Sequence, residues 1–176
     1  MQRQWPGFNE KANVVIPLAP DTFPLANKDI EVFGETFTPK DELHITVIGS
    51  DLGLLLQQRI QQDQSINKLL KKIFSETDWS FKQTGPVHML SRSKQGVVQQ
   101  SIILLVDMPG LAAFYKQLIT SGLLAPDTPL PPAHITLYTR FCPSGIGVPS
   151  EDVLAALSVK TLSVSRLKEM AEDSAE

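Results

Sequence analysis

Two segments of this chain, LHITV at residues 43–47 and AHITL at residues 133–137, are near copies of one another set 90 residues apart. Each is short and rich in β-branched residues. Gly49 closes the first, and Pro131 and Pro132 lead into the second, so both read as strands. Side chains alternate along a strand, which puts His44 and Thr46 on one face and Ile45 and Val47 on the other. His134 and Thr136 repeat that division against Ile135 and Leu137. A fold for this chain must therefore bury one side of two distant strands and leave a His-x-Thr face on the other. Imidazole and hydroxyl then stand about 7 Å apart along each strand.

The remaining sequence supplies a mixed set of elements. Strands are expected at 13–18 and 30–33, the latter within a loop or hairpin region spanning 20–40. Leu52, Leu56 and Ile60 recur at helical spacing after an N-cap at Ser50 or Asp51, and a second helical segment covers 66–74. Strands at 79–90 and 97–106 flank a polar turn at 91–96. A helix around 111–118 ends at Gly122, and a proline-rich loop at 125–132 leads into the second repeat. A short helix to residue 157 and a strand at 159–164 follow. Strands and helices do not alternate strictly, so the expected class is α+β. One bilobal domain over residues 1–168 is expected, with an acidic, solvated tail at 169–176.

Composition narrows the function classes. The chain has 176 residues, with 16 Lys and Arg against 19 Asp and Glu, and four of those acids lie in the last eight residues. The nearly neutral body argues against an extended nucleic-acid surface, whose affinity comes from many phosphate contacts. A small anionic ligand held by a few groups stays open. The single cysteine, Cys142, excludes an internal disulfide framework and a cysteine-based zinc site. Apolar runs such as 102–106 are too short to span a bilayer, and the first residues lack the apolar stretch of a secretory signal. A cytoplasmic monomer with no membrane partner is the expectation.

Histidine titrates near neutrality, so two imidazoles flanking one centre can act as base and acid in a single step. Threonine hydroxyls beside them can donate to the non-bridging oxygens of a phosphate. Phosphoryl transfer asks mainly for positioning and charge stabilisation with entering and leaving oxygens in line. A metal site is the weaker reading, because threonine is a poor ligand for the usual transition metals; no metal or cofactor is expected. Tyr138 and Arg140 continue the face of His134, about 13 and 20 Å along a regular strand. Tyr138 is a candidate to stack on a base at the cleft edge, and Arg140 reads as a surface charge. Glu42 reads as a solvated strand-end carboxylate, His88 as a strand-face residue, Arg92 and Lys94 as turn charges, and Cys142 as structural. Gly145-Ile-Gly147 is too short for a phosphate-cradling loop.

The motifs His44-Ile-Thr46-Val and His134-Ile-Thr136-Leu, with their separation, resemble those of the 2H phosphoesterase superfamily. That group includes bacterial RNA 2′,3′-cyclic phosphodiesterases (once described as 2′-5′ RNA ligases), plant cyclic phosphodiesterases and the AMP-binding domain of some kinase-anchoring proteins. The resemblance covers roughly residues 11–165. It implies a bilobal, pseudo-two-fold fold in which two mainly antiparallel sheets flank a central cleft, with helices outside. It implies His44 and His134 as the acid/base pair and Thr46 and Thr136 as phosphate-binding hydroxyls. The implied activity is metal-independent hydrolysis of a 2′,3′-cyclic phosphate, in a nucleotide or at an RNA end, to a 2′-phosphate. The alternative is a module that binds an AMP-like nucleotide in the same cleft without turning it over. The segment 20–40 is longer than in a minimal member and bears on cleft access.

Overall fold

The structure, a computed structural model, describes residues 1–23, 27–83 and 85–174. Among these, eight strands and five α-helices form a mixed α+β fold around one antiparallel sheet. The strands are β1 (Val14–Pro17), β2 (Ile30–Val32), β3 (Glu35–Pro39), β4 (His44–Ile48), β5 (Val87–Lys94), β6 (Val97–Leu105), β7 (His134–Arg140) and β8 (Ser158–Leu162). The helices are α1 (Ser50–Gln62), α2 (Ser65–Glu76), α3 (Pro109–Thr120), α4 (Glu151–Leu157) and α5 (Val164–Asp173).

The hydrogen-bonded path runs β1-β4-β7-β6-β5-β8. β7 gives one edge to β6 and divides the other. β4 pairs with its beginning at Ile45↔Ile135, and β3 pairs with its end at Thr38↔Thr139 and Pro39↔Tyr138. The two repeats are thus antiparallel neighbours in the middle of the sheet.

Alternation decides which face is core. Ile45, Val47, Ile135 and Leu137 join Ile102, Leu104 and Val87 in the main core, which Leu56 of α1, Phe74 of α2, Phe114 and Leu118 of α3 and Leu167 of α5 cover. Ile103 and Leu90 point the other way, into a smaller core with Cys142, Ile146, Val148 and Leu154. That is why β6 reads as an unbroken apolar run: it is buried on both faces.

Several expectations are corrected. The hairpin of β5 and β6 turns on only Gln95-Gly96, both left-handed at φ 52° and 78°, as a tight two-residue turn requires, and the strands run through the expected polar loop. Residues 79–81 form no strand, and Lys82 makes only an isolated bridge to Asp107. The expected hairpin at 20–40 exists as β2 and β3; residues 24–26 of that region, and residue 84, lie outside the described residues. Gly49, rather than Ser50 or Asp51, caps α1.

The acidic tail is not a solvated end. Through Asp173 it is helix α5, whose Leu167 and Ala171 are buried and whose Ser174 Oγ accepts from the Glu31 amide at 2.9 Å. The acids expected of a solvated tail are those on the outer face of an amphipathic helix. Residues 175–176 lie outside the described set. No described helix is long and apolar enough to cross a membrane.

Candidate active site

The sheet face opposite the main core carries a cleft of about 960 Å³, and His44, Thr46, His134 and Thr136 all line it. The register explains how. Because Ile45 faces Ile135 in an antiparallel pair, His44 falls across from Thr136 and Thr46 across from His134. Two hydroxyls and two imidazoles therefore occupy alternate corners of a square. Diagonal neighbours on adjacent strands stand about 7–8 Å apart, enough to admit one phosphorus between the rings.

His134 is oriented by the loop that delivers it. Its Nδ1–H donates to the Pro132 carbonyl oxygen at 2.8 Å, which leaves Nε2 as the acceptor nitrogen. Burial lowers its pKa below 6.5; the Pro132 contact partly opposes this and the neighbouring His44 adds to it. Burial also lowers the pKa of His44, with Lys40 acting in the same direction and Glu42 against it. Exposed Glu42 thus acts on His44 through its charge alone.

Two cations not expected from the sequence, Lys11 and Lys40, also line the cleft. Lys11 Nζ donates to Ser144 Oγ at 2.6 Å, and Lys40 Nζ donates to the Pro143 carbonyl at 2.7 Å. Both tie distant parts of the chain to the segment after β7. Lys40 was legible in part, since it precedes His44 by four residues; Lys11 is brought in only by the turn before β1. Glu10 and Asp51 also line the cleft, so its charge is mixed.

Glycines allow two close approaches that shape the walls. A Cβ on Gly53 would lie 1.7 Å from the Ala12 carbonyl oxygen, so only glycine lets α1 rest against the turn before β1. Gly145, at φ 78°, lies over the second motif: its Cβ would stand 3.3 Å from Thr136 Cγ2 and 3.4 Å from Oγ1. The Gly145-Ile-Gly147 segment, dismissed as too short to cradle a phosphate, is therefore part of the site wall. It is anchored from below by Ile146 N donating to Ser101 Oγ at 3.0 Å and by the Cys142 thiol donating to the Gln100 carbonyl at 3.0 Å. The structural reading of Cys142 agrees with this burial.

Leu52, Leu55, Tyr115, Pro129 and Pro131 give the cleft an apolar part of its lining. Burial pushes the Tyr115 phenol pKa up, so the group stays a neutral hydroxyl.

Tyr138 does not reach the cleft. Across from β6, Ile102 pairs with Tyr138 but Ile103 pairs with Thr136, so β7 holds one extra residue at Leu137. Such a bulge reverses the alternation beyond it. Tyr138 is turned into the main core at 1 % exposure, with its phenol pKa pushed up to about 12 by burial. It is therefore withdrawn as a base-stacking residue. Arg140 is not a free surface charge either, since it pairs with Glu35 at 3.2 Å and donates to Gln100 Oε1 at 2.8 Å. His88 lies on β5 as expected and shares a 2.7 Å hydrogen bond with Ser158 Oγ. Arg92 and Lys94 belong to β5 rather than to a turn.

Among the described residues, no group of three or more His, Cys, Asp or Glu is placed to hold a metal ion. No protein-family model, curated protein or solved structure matches the chain.

Proposed function

We propose that the chain is a phosphodiesterase of the 2H type that opens 2′,3′-cyclic phosphates by paired histidine acid–base catalysis. The observation that carries this reading is the square formed at the Ile45↔Ile135 bridge, with both imidazoles and both threonines on one cleft. The two central isoleucines face each other there and each histidine faces the threonine of the other motif, as a local two-fold axis at the Ile45↔Ile135 pair requires, and on this reading the fold is pseudo-symmetric about that seam.

The chemistry follows from the positions. The cyclic phosphate sits between the rings with its non-bridging oxygens toward Thr46 and Thr136. His134, its Nδ1 committed to Pro132, takes a proton from water at Nε2 as the water oxygen bonds to phosphorus. The bond from phosphorus to the ribose 3′ oxygen breaks, and His44 supplies the proton that oxygen needs. The product is a 2′-phosphate. Burial and Lys40 hold the His44 pKa down, and the Glu42 charge partly offsets them toward the protonated form the acid needs. Lys11 and Lys40 add positive charge to the lining, and its apolar residues suit a nucleobase.

The test is hydrolysis of 2′,3′-cyclic mononucleotides in the presence of EDTA, by the parent, His44→Ala and His134→Ala. Opening by the parent and loss in both variants is expected. Full activity in either variant overturns the proposal, and saturable AMP binding with no opening of any cyclic phosphate would replace it with a nucleotide-binding role.

A further inference from the structure

Beside the cleft lies a second cavity of about 540 Å³, bounded by the β2–β3 turn, β3 and the end of β7. Lys40 borders both cavities and donates from Nζ to the carbonyl of Pro143, which lines the second. One of three Nζ donors serves that bond, which leaves two for a ligand reaching from one cavity to the other.

Phe141 also lines this cavity, 63 % exposed and held at φ 57°. A bulky non-glycine residue in the left-handed region is disfavoured, and such conformations persist where surrounding contacts enforce them. Its neighbours on both sides are anchored, Arg140 by Glu35 and Gln100 and Cys142 by the Gln100 carbonyl. The Arg140 guanidinium lies 4.6 Å from the Phe141 ring centroid and is itself fixed by Glu35 and Gln100. One face of the ring is thus covered by a cation and the other is left to solvent. An aromatic ring so presented is a stacking platform for a flat base. Glu35 and Asp41 also line the cavity, Glu35 paired with Arg140, and Lys40 is the cation it shares with the cleft.

We propose that this cavity is a subsite for the second nucleotide of an RNA end, with its base on Phe141 and the linking phosphate at Lys40. This rests on the cyclic-phosphate reading for the neighbouring cleft and narrows its substrate class to oligonucleotide ends over mononucleotides. The grip extends over two nucleotides only, which accords with a nearly neutral body.

The test is calorimetric binding of two product analogues to the full chain: adenosine 2′-phosphate, and a diadenylate ending in the same 2′-phosphate. The dinucleotide is expected to bind about tenfold tighter, in line with stacking of one base. Phe141→Ala should remove most of that margin, and Phe141→Trp should keep it. Equal affinities in the parent, an unchanged margin in Phe141→Ala, or equal weakening of both ligands would overturn the subsite. Opening of cyclic phosphate is scored separately. A parent that shows the margin but opens no ring keeps the subsite and loses the enzymatic reading. A parent that opens rings without any margin does the reverse.

Discussion

His134 donates from Nδ1 to the carbonyl oxygen of Pro132, two residues upstream, at 2.8 Å. The stiff proline segment thereby selects the tautomer of the imidazole, and Nε2 is left to accept a proton in the cleft. Since burial lowers the pKa of both His134 and His44 below 6.5, the productive state, one proton on the pair, is most populated at mildly acid pH. A bell-shaped profile of kcat/KM centred below pH 6.5 is expected. A centre above pH 7 would contradict the arrangement.

Truncating either imidazole should lower kcat by about 10²–10⁴-fold, the usual worth of a positioned acid or base. The two losses should respond differently to the leaving group. An aryl phosphodiester, whose leaving oxygen needs no proton, should restore much of the rate in His44→Ala and little in His134→Ala. Equal recovery in both would reverse or erase the assigned roles.

Thr46→Val and Thr136→Val should each reduce kcat/KM by about ten- to a hundredfold, since a hydrogen bond to a charged group contributes about 1.5–3 kcal/mol. Gly145→Ala should act on the same threonine from the other side. Its added methyl would press on Thr136, and the residue would be held in the left-handed region at a cost of about 1–2 kcal/mol. A loss of activity together with a fall in Tm of a few degrees, read by thermal denaturation, is expected.

Stability should fall as the solution is acidified, and histidine contributes in a defined sense. All three histidines have pKa values lowered mainly by burial. Above about pH 6.5 both folded and unfolded chains hold them neutral, and no penalty arises. Below it the unfolded chain takes up protons that the folded chain refuses, until the pH drops past the folded values. Urea denaturation between pH 7 and 5 should show a shallower decline for His134→Gln than for the parent; parallel curves would speak against a buried imidazole.

Leu167→Ala should destabilise the chain by about 2–5 kcal/mol, because it removes a fully buried side chain of α5 from the main core. A change within error in urea denaturation would mean that the C-terminal helix does not belong to the cooperative unit.

The parts of this site that sequence makes legible are those governed by local alternation. His44, Thr46, His134 and Thr136 share one face and Ile45, Val47, Ile135 and Leu137 the other, as a two-residue period demands. Tyr138 was misread because its facing depends on how β6 pairs with β7, and nothing within AHITLYT marks the extra residue. Lys11 and Gly145 escaped for a related reason, since each acquires its place from a contact more than a hundred residues away in the chain or from the second motif itself. The α5 residues were judged by charge, when the small apolar stripe of Leu167 and Ala171 decides their fate.

The bulge at Leu137 makes β7 a strand whose chemistry hangs on counting. Removing Leu137 would take out the extra residue and leave Thr136 against Ile103 and Tyr138 against Ile102 in unbroken alternation, whereas removing Ile135 would put His134 and Thr136 on opposite faces, with hardly any change in composition. A deletion at Ile135 should therefore abolish the centre while one at Leu137 keeps both hydroxyls on their present faces, and the same deletion in a connecting loop would merely shorten a tether.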